Sequence, residues 1–115
     1  MKVELLAPAG NFNKLKTAFY FGADAAYIGG KSFSLRSFAD NFDEDELKNA
    51  VKLAHSLGKK VYVTANIFAR NADTAALEEY FRLLYSAKVD AAIISDSGVF
   101  YAAKKVAPDL AVHIS

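Results

Sequence analysis

At 115 residues, with 53% hydrophobic side chains including nine Phe and six Tyr, the chain is long enough for one domain with a substantial core, and its composition excludes disorder. Fourteen basic residues against thirteen acidic ones give a net charge of +1, which excludes an overall nucleic-acid signature and leaves room only for a local basic site. The absence of cysteine excludes disulfides, thiolate zinc or iron–sulfur ligation and a cysteine nucleophile from this segment.

The first apolar run, Val3 to Ala7, is interrupted by Glu4 and followed by Pro8. It is too short and too polar for a secretory signal core, and no later run approaches a membrane span, so a soluble, cytoplasmic protein is expected. Asn11 is placed to cap a first helix through Phe21, with Phe12, Leu15, Ala18 and Phe19 on one face and Gly22 as its stop. A second run, Ala25 to Gly29, leads into a long excursion from Lys31 to Phe42. Asp43 and Glu46 have capping-box spacing ahead of a second helix, whose inward stripe is Leu47, Ala50, Val51, Ala54 and Leu57 and whose end is Gly58. Val61 to Asn66 is the third run. Asp73 then caps a helix with Leu77, Tyr80, Phe81 and Leu84 facing inward and Glu78 and Arg82 paired outside. Ala91 to Ser95 precedes a fourth helix capped by Ser97 and closed by Pro108, and Ala111 to Ser115 is the fifth run.

This order is β-α-β-α-β-α-β-α-β, an α/β fold of alternating βα units with a parallel sheet of about five strands and four helices. It matches the first half of a (β/α)8 TIM-type barrel, which takes about 250 residues in full. Residues 1–115 are therefore expected to form a single α/β domain, the N-terminal fragment of a longer barrel. Half a barrel leaves two open sheet edges, and a homo-oligomer formed through those edges is the expected way to cover them.

Gly22 to Ile28 and Lys88 to Ile94 share an Asp-Ala-Ala-x-Ile core. Asp24 and Asp90 enter strands at the N-terminal edge of the sheet, where a residue fixes loops, so the search for chemistry turns to the C-terminal edge. There the exits are Gly29-Gly30, Thr64 and Asn66, Ser95-Asp96, and His113 and Ser115. The two glycines permit a sharp turn or a close ligand approach. Arg36, in the long excursion with Lys31, offers a planar fork for carboxylate or phosphate, or else pairs with Asp40. Asn66 suits orientation of a substrate carbonyl or satisfaction of its own loop. Asp96 is a candidate general base or metal ligand, or else a helix cap, and His113 is a candidate proton carrier or metal ligand, or else structural, whereas His55 on the second helix belongs to the surface. The expected assignment is thus Asp96 and His113 catalytic, Gly29, Gly30, Lys31, Arg36 and Asn66 substrate-binding, and no metal site.

Leu6-Ala7-Pro8-Ala9-Gly10-Asn11-Phe12, Gly22 to Arg36, Asn41-Phe42, Ala54-His55, Gly58 to Asn66 and Val89 to Asp96 together resemble the opening of the peptidase U-32 family, the collagenase-like proteases. The resemblance covers the whole chain. It implies a barrel that continues beyond residue 115, and an activity that is either peptide hydrolysis or hydroxylation of RNA bases or quinone precursors. Family members of the latter kind carry an iron–sulfur cluster on cysteines in a later part of the chain, so no cofactor is expected here and a cluster belongs only to the rest of the parent protein. No protease triad or metalloprotease motif is visible. On this resemblance the segment supplies part of a pocket and is inactive alone, with peptide, RNA or a small molecule as the parent's substrate. The alternative is a self-contained α/β binding or assembly module without catalysis.

Overall fold

The computed structural model describes residues 4–29, 37–38, 42–64, 74–94 and 97–114. Strands and helices alternate as β1 (Leu6–Pro8), α1 (Phe12–Tyr20), β2 (Ala25–Gly29), β3 (Ser37–Phe38), β4 (Phe42–Asp43), α2 (Glu44–Ser56), β5 (Lys60–Thr64), α3 (Thr74–Ser86), β6 (Ala91–Ile94), α4 (Ser97–Val106) and β7 (Val112–Ile114). Five strands form one parallel sheet in the order β1-β2-β5-β6-β7. The main sheet and its four helices match the βα pattern read from the apolar runs; Asp73, expected to cap α3, lies outside the described residues, and Ser97, expected to cap α4, is instead its first residue. The antiparallel pair β3–β4 does not appear in that reading. Strands of two residues are too short to carry a hydrophobic period.

The helices cover one face of the sheet. Ala26 and Ile28 of β2, Val61 and Val63 of β5 and Ala92 and Ile94 of β6 meet Leu15 and Phe19 of α1, Leu47 and Ala54 of α2, Phe81 and Leu84 of α3 and Val99 of α4 in one buried cluster. Phe81 is the largest fully buried side chain among the described residues. Its removal from water contributes roughly 3 kcal/mol, at the upper end for a single core side chain. Asn11 caps α1 as its position predicts, its side-chain oxygen accepting the Lys14 amide at 2.8 Å. Leu57 departs from the expected inward stripe. It lies one residue past the end of α2 and is 52% exposed, because the chain leaves the helical path there before its side chain can reach the core.

Three helices end in the same way. After α1 the amide of Gly22 donates to Phe19 O and that of Ala23 to Ala18 O; after α2 Gly58 donates to His55 O and Lys59 to Ala54 O; after α3 Lys88 donates to Tyr85 O and Val89 to Leu84 O. Each is the paired closure of a Schellman motif, which needs a left-handed residue at its pivot. Gly22 (φ 99°) and Gly58 (φ 70°) take it freely, and Lys88 takes it at φ 64°. These closures turn the chain back under the sheet and deliver it to the next strand.

Candidate functional site

Parallel pairing places residues in transverse rows, and the row at the C-terminal end of the sheet contains Gly29, Thr64, Ile93 and His113. Side chains alternate along a strand, so this row points away from the helices. The next row on the same face holds Pro8, Tyr27, Tyr62 and Ala91. This open face is apolar and aromatic in its middle, where Tyr27 and Ile93 pack on Ala25, Tyr62 and Ala91. In a closed barrel such rows form the layered interior, and the last row lies beside the catalytic loops.

Tyr62 sits on β5, the central strand, and touches groups toward both edges. Its hydroxyl donates to Glu4 Oε1 at 2.9 Å, just ahead of edge strand β1. Its ring meets the His113 imidazole of edge strand β7 edge-on, with centroids 5.2 Å apart and planes at 61°. Between their strands the same face of β6 carries Ala91 in the Tyr62 row and Ile93 in the His113 row. Burial, and then the hydrogen bond to Glu4 and its negative charge, push the Tyr62 phenol up to about 12, so it remains a neutral donor at ordinary pH. His113 is exposed on its edge strand. The Thr64 hydroxyl, in the same row, donates to Ile28 O at 3.4 Å.

Of the residues expected at the site, Gly29 and His113 share the last row, separated by Thr64 and Ile93. Gly30, Lys31, Arg36, Asn66 and Asp96 lie outside the described residues. Tyr62 and Glu4 are the participants that the sequence pattern hides. Val61-Tyr62-Val63 reads as one apolar run, and in a strand apolar on both faces there is no polar alternation to mark the side that Tyr62 occupies. Among the described residues no group of three His, Asp or Glu side chains is placed to hold a metal ion. The chain has no cysteine, so its residues do not fit a thiolate-bound iron–sulfur cluster.

The opposite edge carries the architectural acids. Asp24 Oδ2 accepts the Leu5 amide at 2.9 Å, and Asp90 Oδ2 accepts the Val61 amide at 2.8 Å. The backbone reciprocates, the Asp24 amide donating to Leu5 O and the Asp90 amide to Val61 O, both at 2.8 Å. Each aspartate thus ties the start of its own strand to the strand before it, the loop-fixing role expected of this repeat. His55 adds a contact to Asp90 from α2. A cleft of about 240 Å3 beside Glu4, Asp24, Gly58 and Lys60 belongs to this edge and not to the His113 row.

Comparison with known proteins follows the same lines. The family model described as Peptidase family U32 matches residues 10–115. The chain is 47% identical over 114 residues to tRNA hydroxylation protein P1 of Bacillus subtilis, covering 99% of this chain and 27% of that protein. It is 42% identical to the uncharacterized protease MJ0090 of Methanocaldococcus jannaschii, covering 98% of this chain and 27% of that protein. With the 23S rRNA 5-hydroxycytidine C2501 synthase of Escherichia coli it shares 36% identity over 98 residues, 85% of this chain and 15% of that protein. The chain therefore spans about a quarter of the length of the first two relatives. Among solved structures, the U32 peptidase Mk0906 superposes with a TM-score of 0.72 at 15% identity, covering 99% of this chain and 49% of that one. The HMG-CoA lyase of Brucella melitensis superposes at 0.70 with 16% identity, covering 97% and 47%. Both likenesses concern the fold, a TIM-barrel-like arrangement of βα units.

Proposed function

This chain belongs to peptidase family U32, and we propose that it supplies the N-terminal βα units of a barrel that hydroxylates RNA, being inactive until the remaining units close it. The observation that carries this reading is the 47% identity to tRNA hydroxylation protein P1 along 99% of the chain. The match to an rRNA hydroxycytidine synthase supports the same chemistry on another RNA. Peptide cleavage, suggested by the name of the archaeal relative, has less support in the geometry. Among the described residues, one histidine is bonded to Asp90 and the other meets the Tyr62 ring edge-on, and neither forms the nucleophile–base pair that acyl transfer uses.

In this proposal the open face is the inner wall of the pocket. Gly29 and Gly30 admit the substrate close to the backbone, Lys31 and Arg36 hold phosphate, and Asn66 orients the base through its amide. His113 and Asp96 handle protons at the rim, and Tyr62 fixes the plane of the His113 ring. Hydroxylation adds an oxygen atom and needs an oxygen source with a partner for the electrons. This chain has no cysteine, so a thiolate-held iron–sulfur cluster would be carried by the rest of the parent protein. RNA as substrate also agrees with a cytoplasmic location.

Closure of the open face requires a partner surface. Leu6 on edge strand β1 and Ile114 on edge strand β7 are exposed apolar side chains, as is Leu5 beside β1. The isolated chain accordingly pairs with a second copy through these edges, and light scattering across a wide concentration range reads this directly, a constant monomer mass being the contrary result. Activity is tested by nucleoside mass spectrometry of RNA from cells with and without the gene that encodes this chain. Loss of a species heavier than its parent nucleoside by one oxygen supports the proposal, and an unchanged nucleoside profile contradicts it.

A further inference from the structure

Although the chain as a whole is almost neutral, its cations are unevenly placed. Residues 12–23 and 47–60 contain six lysines and no carboxylate. These segments form α1, most of α2 and the turns that end them, and the two helices are neighbours on the outside of the sheet. On the α3–α4 flank, by contrast, Arg82 and Lys105 both reach Glu78, at 3.6 and 3.3 Å. Among the described residues Lys14, Lys16, Lys52 and Lys59 meet no carboxylate; Lys16 instead stands 5.8 Å from the centroid of the Phe12 ring. The nearby acids are already engaged beneath the sheet edge. Glu4 receives Tyr62 and lies 3.9 Å from Lys60, and Asp24 receives the Leu5 amide.

Between α1 and α2 runs a groove of about 350 Å3, lined by Lys16, Phe19, Tyr20, Leu53, Leu57 and Lys59. At its end Tyr20 and Phe21 are 86% and 78% exposed, their rings set edge to face with centroids 5.4 Å apart. Two adjacent large aromatic side chains left in water, with Leu57 beside the same groove, mark a surface that meets something. An apolar protein segment would use the groove but not the surplus of cations. A polyanion with flat apolar faces uses both.

We propose that the outer face of α1 and α2 is a second RNA contact, stacking a base on Tyr20 while Lys16 and Lys59 hold adjacent phosphates. The proposal rests on the reading that RNA is the substrate, and it concerns the helical side of the sheet, remote from the Gly29–His113 row. Its role is to hold the body of the RNA while another part enters the barrel. Stacking tolerates any base, so this contact contributes affinity and orientation more than sequence choice.

Fluorescence anisotropy of a labelled short oligouridylate, titrated with the full chain, tests it, with a labelled oligoglutamate of equal length as the protein-like anion. Tyr20→Ala is expected to weaken RNA binding about tenfold through lost stacking. Lys16→Glu combined with Lys59→Glu is expected to lower the slope of log affinity against log salt by about 1.4, at roughly 0.7 per phosphate contact. Tyr101→Ala, an aromatic 73% exposed on α4, is expected to change neither quantity. Absent RNA binding, RNA binding indifferent to these variants, or oligoglutamate bound as tightly as RNA each overturns the proposal. The altered side chains lie on the surface, and matched circular-dichroism melts establish that the variants are folded. Nucleoside masses separate the two readings. Hydroxylation by the unsubstituted parent protein, with RNA binding unmoved by the variants, removes this surface and leaves the enzyme reading standing; the reverse pattern removes the enzyme reading and leaves the surface.

Discussion

His55 Nε2 lies 3.0 Å from Asp90 Oδ2, the same oxygen that accepts the Val61 amide at 2.8 Å. One carboxylate therefore joins α2, β5 and the entry to β6. Val61 is fully buried, so removing its acceptor strands an amide that water does not reach. Asp90→Ala is expected to cost about 2 kcal/mol in urea unfolding, whereas Asp90→Asn, which keeps an acceptor oxygen, costs less than about 1. His55→Ala, which removes only an exposed partner, costs about 0.5 kcal/mol. Asp24→Ala falls below Asp90→Ala, because Leu5 is exposed and its amide has water as a substitute. Equal losses for Asp90→Ala and Asp90→Asn would contradict this account.

Lys88 occupies the pivot that glycine holds after α1 and α2, with φ at 64°. A side chain in the left-handed region costs on the order of 1 kcal/mol, and glycine removes that cost without disturbing the two closing hydrogen bonds. Lys88→Gly is expected to raise the unfolding free energy by about 0.5–1 kcal/mol after the extra chain entropy of glycine is allowed for. A lowered denaturation midpoint at unchanged slope would show that the Lys88 side chain contributes more than its backbone costs.

Tyr62 predicts an alkaline limit. In the unfolded chain its phenol has the ordinary value of 10.0, and in the folded chain it is pushed up to about 12. Between those values the folded state binds more protons, so stability falls as pH rises through the window and is unaffected below it. The full effect is about 2–3 kcal/mol. Tyr62→Phe loses the Glu4 hydrogen bond and is expected to be less stable than the parent by about 1 kcal/mol at pH 8. It has no proton to release, so the order of the two proteins reverses toward the top of the window. Tyr80 is also pushed up by burial, but it is present in both chains and cancels in the comparison.

The fold was legible where local chemistry is decisive. Asn11 as cap, Gly22 and Gly58 as stops and the spaced stripes of Leu15 and Phe19 or Ala50 and Ala54 each declare a helix and its bounds. The Asp-Ala-Ala-x-Ile repeat declared two equivalent strand entries, and Asp24 and Asp90 perform the same bridging in both. Less was legible in relationships between distant residues. His55 and Asp90 are 35 positions apart, Glu4 and Tyr62 58, and no local periodicity links them. The left-handed pivot at Lys88 was hidden because lysine does not announce it as glycine does. At the site, Gly29 and His113 could be assigned to strand ends, but their common row depends on register, which hydrophobic runs apolar on both faces leave unmarked.

If the open face ending in the Gly29–His113 row lines an RNA-hydroxylating pocket, as proposed, the parent protein depends on His113. A strain that lacks the parent gene, complemented with either the unsubstituted parent protein or its His113→Ala variant at matched protein levels, is assayed for hydroxylated nucleosides. Restoration is expected with the unsubstituted protein and a deficit of about a hundredfold in initial hydroxylation rate with His113→Ala, the lower end for a positioned acid–base group. Full restoration by the variant would remove His113, and with it this row, from the pocket.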